Sequence, residues 1–585
     1  MSQNFKKCCI IIEVNIIYKL KYIGDTMIHT SAFLTPVSLW EGFDATQPTK
    51  ANMLSEIRYD SVIHREYFFS GRTVGNERVR IFGTYFTPDD GESHDSVLYI
   101  PDVTAKLNYE QVLDYVKCGF NVLMVDMYGK RDGADNYTVY PESVSYANYE
   151  TRGRSMDFVD RSARETCWYE WVAVARYAVT FLKELSPTAS KIGLIGVKNG
   201  ANIGWQTAAV DNRIGCAVLM FGAGWSAYKG MPKFAEKDFE MNEERRKFIA
   251  AVDAHAYAQY VSCPVLFLTS TNSENFDFDR SLDTLSRLAT DVKCSFNFAP
   301  SFNEYLDEYC KRDSELFLLK EFGKSNVVFP STPEVAIEKD GNYLSIKLKY
   351  STEAKVEDAK VYINEGVMNS ALRNWNFCNF VGDAAEGEKE FEYIVSGSTQ
   401  NVFAFAVVRY KNGVTVSSKL AYKKTDGESS KKSNLVYSSR DGLDGITFYD
   451  KNAEGVNGIF VDEGRFIELV KGANGISGAY SHCGLISYKF SEPSCKVDEN
   501  SILKMDFYSA EFCVVRLVFM ANTSAGVKEF LYSFDLKSGG FWQNVTVKTG
   551  DFKSVEGMSI RDFGSIFALR IESDGKYAVN NILII

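Results

Sequence analysis

The chain has 585 residues, of which 45% are hydrophobic and 24% charged, as in packed globular domains. At about 100 to 200 residues per domain, this length predicts three or four domains. The net charge of −11 argues against nucleic-acid binding, because that function needs a positive surface. The 12 cysteines include no Cys-x-x-Cys pair, so we expect buried thiols, no metal and no cofactor.

Residues 1–45 are interpreted as an N-terminal extension. Two lysines precede a short apolar run that Glu13 interrupts, and a signal-peptide core needs about 7 to 15 apolar residues. Met27 is an alternative start. No stretch approaches the roughly 20 apolar residues of a membrane span. We therefore expect no membrane partner and, by default, a cytoplasmic location.

Residues 46–325 alternate short apolar runs with amphipathic helical stretches. The apolar runs predict strands at 67–69, 79–86, 96–100, 121–126, 192–195, 216–221 and 264–268. Helices are predicted at 109–118, 168–182 and 201–210. This alternation is typical of right-handed βαβ units, so the predicted fold is a mostly parallel sheet with flanking helices.

The pattern changes to period two after residue 330. Residues 333–422 predict a small antiparallel β-sandwich of the immunoglobulin or fibronectin type III kind. Residues 423–433 are polar, charged and rich in serine, as in a linker. Residues 434–585 are rich in glycine and aromatic residues and predict a jelly roll. The fold class is thus multidomain, with one α/β domain followed by two all-β sandwiches.

One turn in the α/β part carries the most information about function. Gly196, Lys198 and Gly200 lie between a predicted strand and a predicted helix. In α/β-hydrolases a Gly-x-Ser-x-Gly turn in this context exposes the nucleophilic serine at the carboxyl edge of the sheet. Both glycines are present here, but lysine occupies the central position.

With this turn, residues 67–72, 78–85 and 263–276 resemble the dienelactone hydrolase and acetyl xylan esterase branch of the α/β-hydrolases. The resemblance implies that Lys198 stands at the nucleophile position, Ser273 at the acid and Asn303 at the histidine. The segment 101–104, which would shape the oxyanion loop, lacks glycine and contains Asp102. All three positions of the triad therefore carry the wrong residue.

The scarcity of histidine supports the same conclusion without an alignment. The chain has five histidines, and in this fold the catalytic histidine follows the nucleophile and the acid. Beyond residue 255 only His482 remains, and it lies in a different predicted domain. Because the loss of triad members removes several orders of magnitude of rate, we expect no catalytic residues.

Several alternatives remain open at these positions. Lys198 could act as a nucleophile of lowered pKa or as an anchor for an anionic ligand, besides being a surface residue without function. Asp277, Asp279 and Asp283 could supply a replacement acid, although a solvated helix start is the simpler interpretation. Glu304, Asp307 and Glu308 could provide a pair of carboxylates for glycosidase chemistry.

The last region resembles galactose-binding-like jelly rolls, which occur as carbohydrate-binding modules. Tyr532, Phe541 and Trp542 could stack on sugar rings, or they could be core residues. The preferred hypothesis is a degenerate hydrolase that acts as a binding or scaffold protein, with a polysaccharide or glycan as partner. The alternative is an active esterase that uses a non-standard catalytic set on acylated carbohydrate.

Overall fold

A computed structural model describes residues 33–585, except 60, 153–155, 188–190, 225, 229–230, 235–240, 302, 341–342, 380–386, 394–400, 426–433 and 454–457. The described secondary structure forms one large mixed sheet with helices, followed by four β-sheets. We name residues 33–322 the α/β region, 334–424 the middle region and 435–585 the last region. Most of the predicted extension (1–32) and most of the predicted linker (426–433) lie outside the described residues.

The α/β region is built on a nine-stranded sheet of order β1-β2-β3-β5-β4-β6-β7-β8-β9. Strands β1, β2, β3 and β5 pair antiparallel, and the pairs from β5 through β4 to β9 are parallel. The strands are β1 (Asn52–Tyr59), β2 (Val62–Val74), β3 (Glu77–Pro88), β4 (Asp95–Ile100), β5 (Phe120–Val125), β6 (Ile192–Val197), β7 (Ile214–Met220), β8 (Val265–Ser270) and β9 (Cys294–Ala299).

Helices cover both faces of this sheet. They are α1 (Pro36–Trp40), α2 (Leu113–Lys117), α3 (Cys167–Leu185), α4 (Asn199–Val210), α5 (Glu243–Ala251), α6 (Ala254–Tyr257), α7 (Phe278–Leu285) and α8 (Glu308–Glu321). Successive side chains of β4 point to opposite faces, so Leu98 joins the core under α3 while Val97 joins the core under α8. Among the described residues no helix is long and apolar enough to span a membrane.

Two local predictions differ from the structure in detail. The helix predicted at 109–118 is split into a 3₁₀ turn (Tyr109–Gln111) and α2, because Val112 between them leaves the helical range at φ −116°. Within the predicted extension, α1 packs on the α/β region, where Leu39 and Trp40 are buried. The described cysteines form no disulfide, and seven of the ten are buried as expected.

The middle and last regions each contain two sheets that face one another. The middle region comprises β10 (Glu334–Asp340), β11 (Tyr343–Lys349), β12 (Val356–Glu365), β13 (Asn376–Asn379), β14 (Glu388–Tyr393), β15 (Asn401–Tyr410), β16 (Thr415–Ser417) and β17 (Ala421–Lys424). Its sheets are β10-β11-β14 and β13-β12-β15-β16, with β17 paired to β15. The last two residues of β17 belong to the segment predicted as a linker.

The last region contains a six-stranded and a five-stranded sheet of orders β20-β21-β28-β23-β26, with β18 paired to β28, and β19-β22-β27-β24-β25. Its strands are β18 (Leu435–Tyr437), β19 (Thr447–Phe448), β20 (Glu468–Lys471), β21 (Ser477–Tyr480), β22 (Leu485–Ser487), β23 (Ile502–Ser509), β24 (Cys513–Thr523), β25 (Gly526–Leu536), β26 (Phe541–Lys548), β27 (Ile566–Ser573) and β28 (Ala578–Ile584). The strand pairings described within this region are antiparallel.

Candidate functional site

Lys198 stands where the strand order of the large sheet reverses. Strand β4 pairs with β5 on one side and with β6 on the other. The connection that follows β4 and the one that follows β5 therefore run in opposite directions across the sheet. In open α/β sheets, ligand crevices form at such a switch point beyond the carboxyl ends of the strands. Lys198 follows β6 directly, precedes α4 and has φ +53° and ψ −119°. A non-glycine residue with this backbone is strained, as expected for the central residue of an elbow.

The flanking glycines are required by close packing. A Cβ added at Gly200 would lie 2.2 Å from the carbonyl oxygen of Pro101, and one at Gly196 would lie 2.7 Å from Cα of Ala201. The elbow and the loop after β4 are therefore in direct backbone contact. The strand-turn-helix geometry of an α/β-hydrolase elbow is present, although its side chain is not a serine.

The amine of Lys198 forms an ion pair with a neighbouring carboxylate. Its Nζ lies 3.3 Å from Oε2 of Glu304 and 5.7 Å from the ring centre of Tyr305. The other oxygen of Glu304 accepts a hydrogen bond from Nδ2 of Asn275. Because Glu304 engages the amine, the contacts do not favour the nucleophile interpretation.

Ser273, at the predicted acid position, has a local structural role. Its hydroxyl accepts hydrogen bonds from the backbone N–H groups of Asn275 (3.3 Å) and Phe276 (3.0 Å). Four residues later, Asp277 caps α7 through the N–H of Asp279. Burial raises the pKa of Asp277 to about 6, and the neighbouring Asp279 adds to the shift. These bonds hold the turn that leads into α7.

Asn303, at the predicted histidine position, binds the last region. Its Nδ2 donates to Oδ1 of Asp450 over 2.5 Å, and its backbone N–H donates to Oδ2 over 3.2 Å. The hydroxyl of Tyr488 donates to Oδ1 of Asn303 over 3.3 Å. Burial raises the pKa of Asp450, and the hydrogen bonds from Asn303 oppose the shift. This side chain therefore joins two regions and is not aimed at Lys198.

The described histidines have other surroundings. His64 stacks on Phe86, and His94 lies 2.8 Å from a carboxylate oxygen of Asp90. His482 stacks on Phe466 in the last region. Burial lowers the pKa of His255 to about 3, so this imidazole is neutral at physiological pH. His29 lies outside the described residues, and for the other four no contact with Lys198 is found among the described residues.

The loop after β8 is covered by the middle region. Arg373 forms a bidentate ion pair with Asp279, with Nη–Oδ distances of 2.6 and 2.8 Å, and both side chains are almost fully buried. Nδ2 of Asn272 donates to the carbonyl oxygens of Ala371 and Arg373. The expectation that Asp277, Asp279 and Asp283 mark a solvated helix start is thus wrong for Asp279, because the middle region buries it.

The remaining acidic residues have similar structural partners. Asp283 pairs with Lys233 at 2.7 Å, and Asp307 caps α8 through the N–H of Cys310. Sequence reasoning missed Arg373 and Asp450. Neither belongs to a motif, and their partners are 94 and 147 residues away.

The three aromatic residues predicted to stack on sugars do not form one platform. Trp542 and Phe541 are successive residues of β26, so their side chains point to opposite faces of that strand. Trp542 is half-buried, 5.6 Å from Tyr508, and its Nε1 donates to the carbonyl oxygen of Ala473. Tyr532 lies on β25 in the other sheet, 5.8 Å from Phe552.

The chain was compared with known proteins. No protein-family model and no curated protein matches it. Among solved structures, it is similar to acetyl xylan esterase 1 from Thermoanaerobacterium sp. JW/SL YS485, with 14% identity and a TM-score of 0.35, covering 47% of this chain and 88% of that one.

Two further structures give similar values. Acetyl xylan esterase from Paenibacillus sp. R4 has 13% identity and a TM-score of 0.36, with 52% and 97% of the two chains covered. A Klebsiella pneumoniae protein assigned as a dienelactone hydrolase has 13% identity and a TM-score of 0.32, with 46% and 100% covered. Likenesses at this level carry no argument about fold or activity. The description of the α/β region as α/β-hydrolase-like rests on the sheet order and the elbow.

Proposed function

We propose that this chain is a non-catalytic relative of the α/β-hydrolases that serves as a scaffold and binds carbohydrate. The observation that carries the proposal is the pairing of Lys198 with Glu304 at the elbow. At the predicted nucleophile position, the side chain of Lys198 is held in an ion pair, and no described histidine contacts it.

The two other loops of the former triad support the same proposal. Asn272 in the loop after β8 donates to the carbonyl oxygens of Ala371 and Arg373 of the middle region, and Asn303 in the loop after β9 donates to Asp450 of the last region. At the second loop, Asp450 engages the side chain at the predicted histidine position, so that side chain is not available as a base. These loops act as docking surfaces that fix the β regions.

The test is an ester hydrolysis assay with the purified full chain on p-nitrophenyl acetate and acetylated xylan. We expect the rate to equal that of a Lys198→Ala variant and of buffer, because nucleophile, acid and base are all missing. A Lys198→Ser variant is expected to remain inactive as well, since none of the described histidines contacts this position to activate the introduced hydroxyl.

An acetyl xylan esterase assayed in parallel shows that the substrates and conditions are adequate. Turnover by the wild-type chain that is well above buffer and is lost in Lys198→Ala contradicts the proposal. That result would support the alternative of an active esterase with a non-standard catalytic set.

A further inference from the structure

A cavity of about 500 Å³ lies where the α/β, middle and last regions meet. Its size falls within the range of about 300 to 1,000 Å³ that is usual for small-molecule sites. Five aromatic side chains line it, and all three regions contribute to them. They are Tyr309, Tyr362, Trp375, Phe377 and Tyr488.

Two buried donors on this wall lack an acceptor among the described residues. The indole Nε1 of Trp375 has no hydrogen-bond partner, although the residue is only 2% exposed. Nε of Arg409 is also without a partner, while its Nη1 lies 3.8 Å from Asp358 and its guanidinium lies over the ring of Tyr309. A buried donor without a partner costs about 1–3 kcal/mol, so an acceptor in the cavity would be stabilising.

Carboxylates form the other part of the lining. Five of them face two cationic side chains, Lys360 and Arg409, which gives the cavity an acidic excess. The five are Asp307, Glu308, Asp444, Asp462 and Glu463. Burial raises the pKa values of Asp307, Asp444 and Glu463 and lowers that of Lys360. The acidic excess disfavours phosphorylated or otherwise anionic ligands.

We infer that this cavity is a binding site for a short neutral oligosaccharide. The ligand must accept hydrogen bonds from Trp375 and Arg409 and donate hydrogen bonds to carboxylates such as Glu463. A hydroxyl group does both, and a sugar ring carries several of them. The apolar face of the same ring packs against aromatic side chains. This inference rests on the proposed carbohydrate binding and gives it a location.

The cavity is better suited to this role than the surface around Trp542. The indole N–H of Trp542 already donates to Ala473, and its ring packs over Gly472 and Gly478. Neither Tyr532 nor Phe541 shares a face with it. Trp375, in contrast, lines the cavity, and its buried indole N–H has no acceptor among the described residues.

The test is isothermal titration of the full chain with xylotetraose, cellotetraose, mannotetraose and chitotetraose. We expect at least one of them to bind with a Kd below about 1 mM. Trp375→Phe keeps most of the ring but removes the N–H, and we expect it to weaken binding about tenfold. Glu463→Gln, which leaves the core untouched, is expected to weaken binding several-fold. Trp542→Phe is the matched control and should leave the Kd within about twofold.

Three results would overturn the inference. They are the absence of binding by all four tetrasaccharides, binding that neither Trp375→Phe nor Glu463→Gln weakens, and binding that Trp542→Phe abolishes. Circular dichroism and the thermal midpoint show whether each variant is folded, and Glu463→Gln keeps the inference testable if Trp375→Phe is not. Ester turnover is measured separately. A positive result there contradicts the proposed lack of catalysis but does not decide whether the cavity binds sugars.

Discussion

The elbow and the junction cavity both bring charged residues to the edge of the large sheet, but they differ in how those residues are satisfied. At the elbow, Lys198, Glu304 and Asn275 form a closed set of contacts. Beside the cavity of about 500 Å³, Trp375 and Arg409 each keep a donor for which the described residues supply no acceptor. Polar groups that satisfy one another, as at the elbow, need no ligand. Open space beside buried donors without a described acceptor favours a bound ligand. The residues that resemble a catalytic site are therefore not the ones that point to binding.

One short segment, residues 373–376, contacts the α/β region, the cavity and the last region. Arg373 bonds to the α/β region, Trp375 lines the cavity, and Asn374 and Asn376 bond to Glu492 of the last region. The first two predictions below test the contacts of this segment with the α/β region and with the last region. The third tests the elbow.

The largest effect is expected from Arg373→Met. The substitution leaves Asp279 buried without its partner, which costs about 3–5 kcal/mol of unfolding free energy. Urea denaturation followed by tryptophan fluorescence measures the loss. In the double variant with Asp279→Leu, both charges are absent and most of the stability should return. Equal losses in the single and double variants would show that the ion pair does not fix the segment.

A smaller, pH-dependent effect is expected at Glu492. Its Oε1 accepts hydrogen bonds from Nδ2 of Asn374 (3.0 Å) and Asn376 (2.7 Å). Burial raises its pKa from 4.5 to about 7; Lys489 opposes the shift and Glu365 adds to it. The neutral acid is thus favoured in the folded state. Its stabilising contribution is complete below about pH 4.5 and is lost as the pH rises through about 7.

Between pH 5.5 and 8.5, the unfolding free energy of the wild type should therefore fall by about 2 kcal/mol more than that of Glu492→Gln. Glutamine keeps the accepting oxygen but cannot ionise. Other buried carboxyls titrate equally in both proteins and cancel in the difference. Glu468→Gln is the control, because Glu468 is exposed. Parallel pH profiles for wild type and Glu492→Gln would contradict a neutral Glu492.

The smallest effect concerns the elbow itself. Lys198→Gly and Lys198→Ala both remove the ion pair with Glu304, but only glycine adopts φ +53° without strain. We expect the glycine variant to be more stable than the alanine variant by about 1 kcal/mol, measured by urea denaturation. At Glu77, which has an ordinary β-strand backbone, the same pair of substitutions should favour alanine. A less stable glycine variant at Lys198 would mean that the elbow is not strained.

Much of the α/β region could be predicted from the sequence. Strands such as β4 and β6 are short apolar runs, and α3 has a clear helical period, so local pattern and final structure agree. The elbow was identifiable because its glycines are demanded by contacts between neighbouring elements. The positions that replace the triad followed from the family resemblance and from the shortage of histidine.

The docking contacts and the cavity could not be predicted in this way. Asp279 and Arg373 are 94 residues apart, and their pairing depends on how the middle region packs on the α/β region. The cavity likewise joins Asp307, Trp375 and Glu463 from three separate regions. No periodicity or spacing encodes such distances. Sequence reasoning therefore places sugar stacking on aromatic residues of a single region, Tyr532, Phe541 and Trp542.

The segment that contains Trp375 has a mechanical consequence. Residues 373–376 are held by the α/β region at one end and by the last region at the other, so rigid-body rotation of either neighbour must strain the same few peptide units. A molecule bound beside Trp375 would restrict the motion of this segment. Its binding energy should then appear as more cooperative melting of all three bodies, and loosening any one of them should weaken its hold.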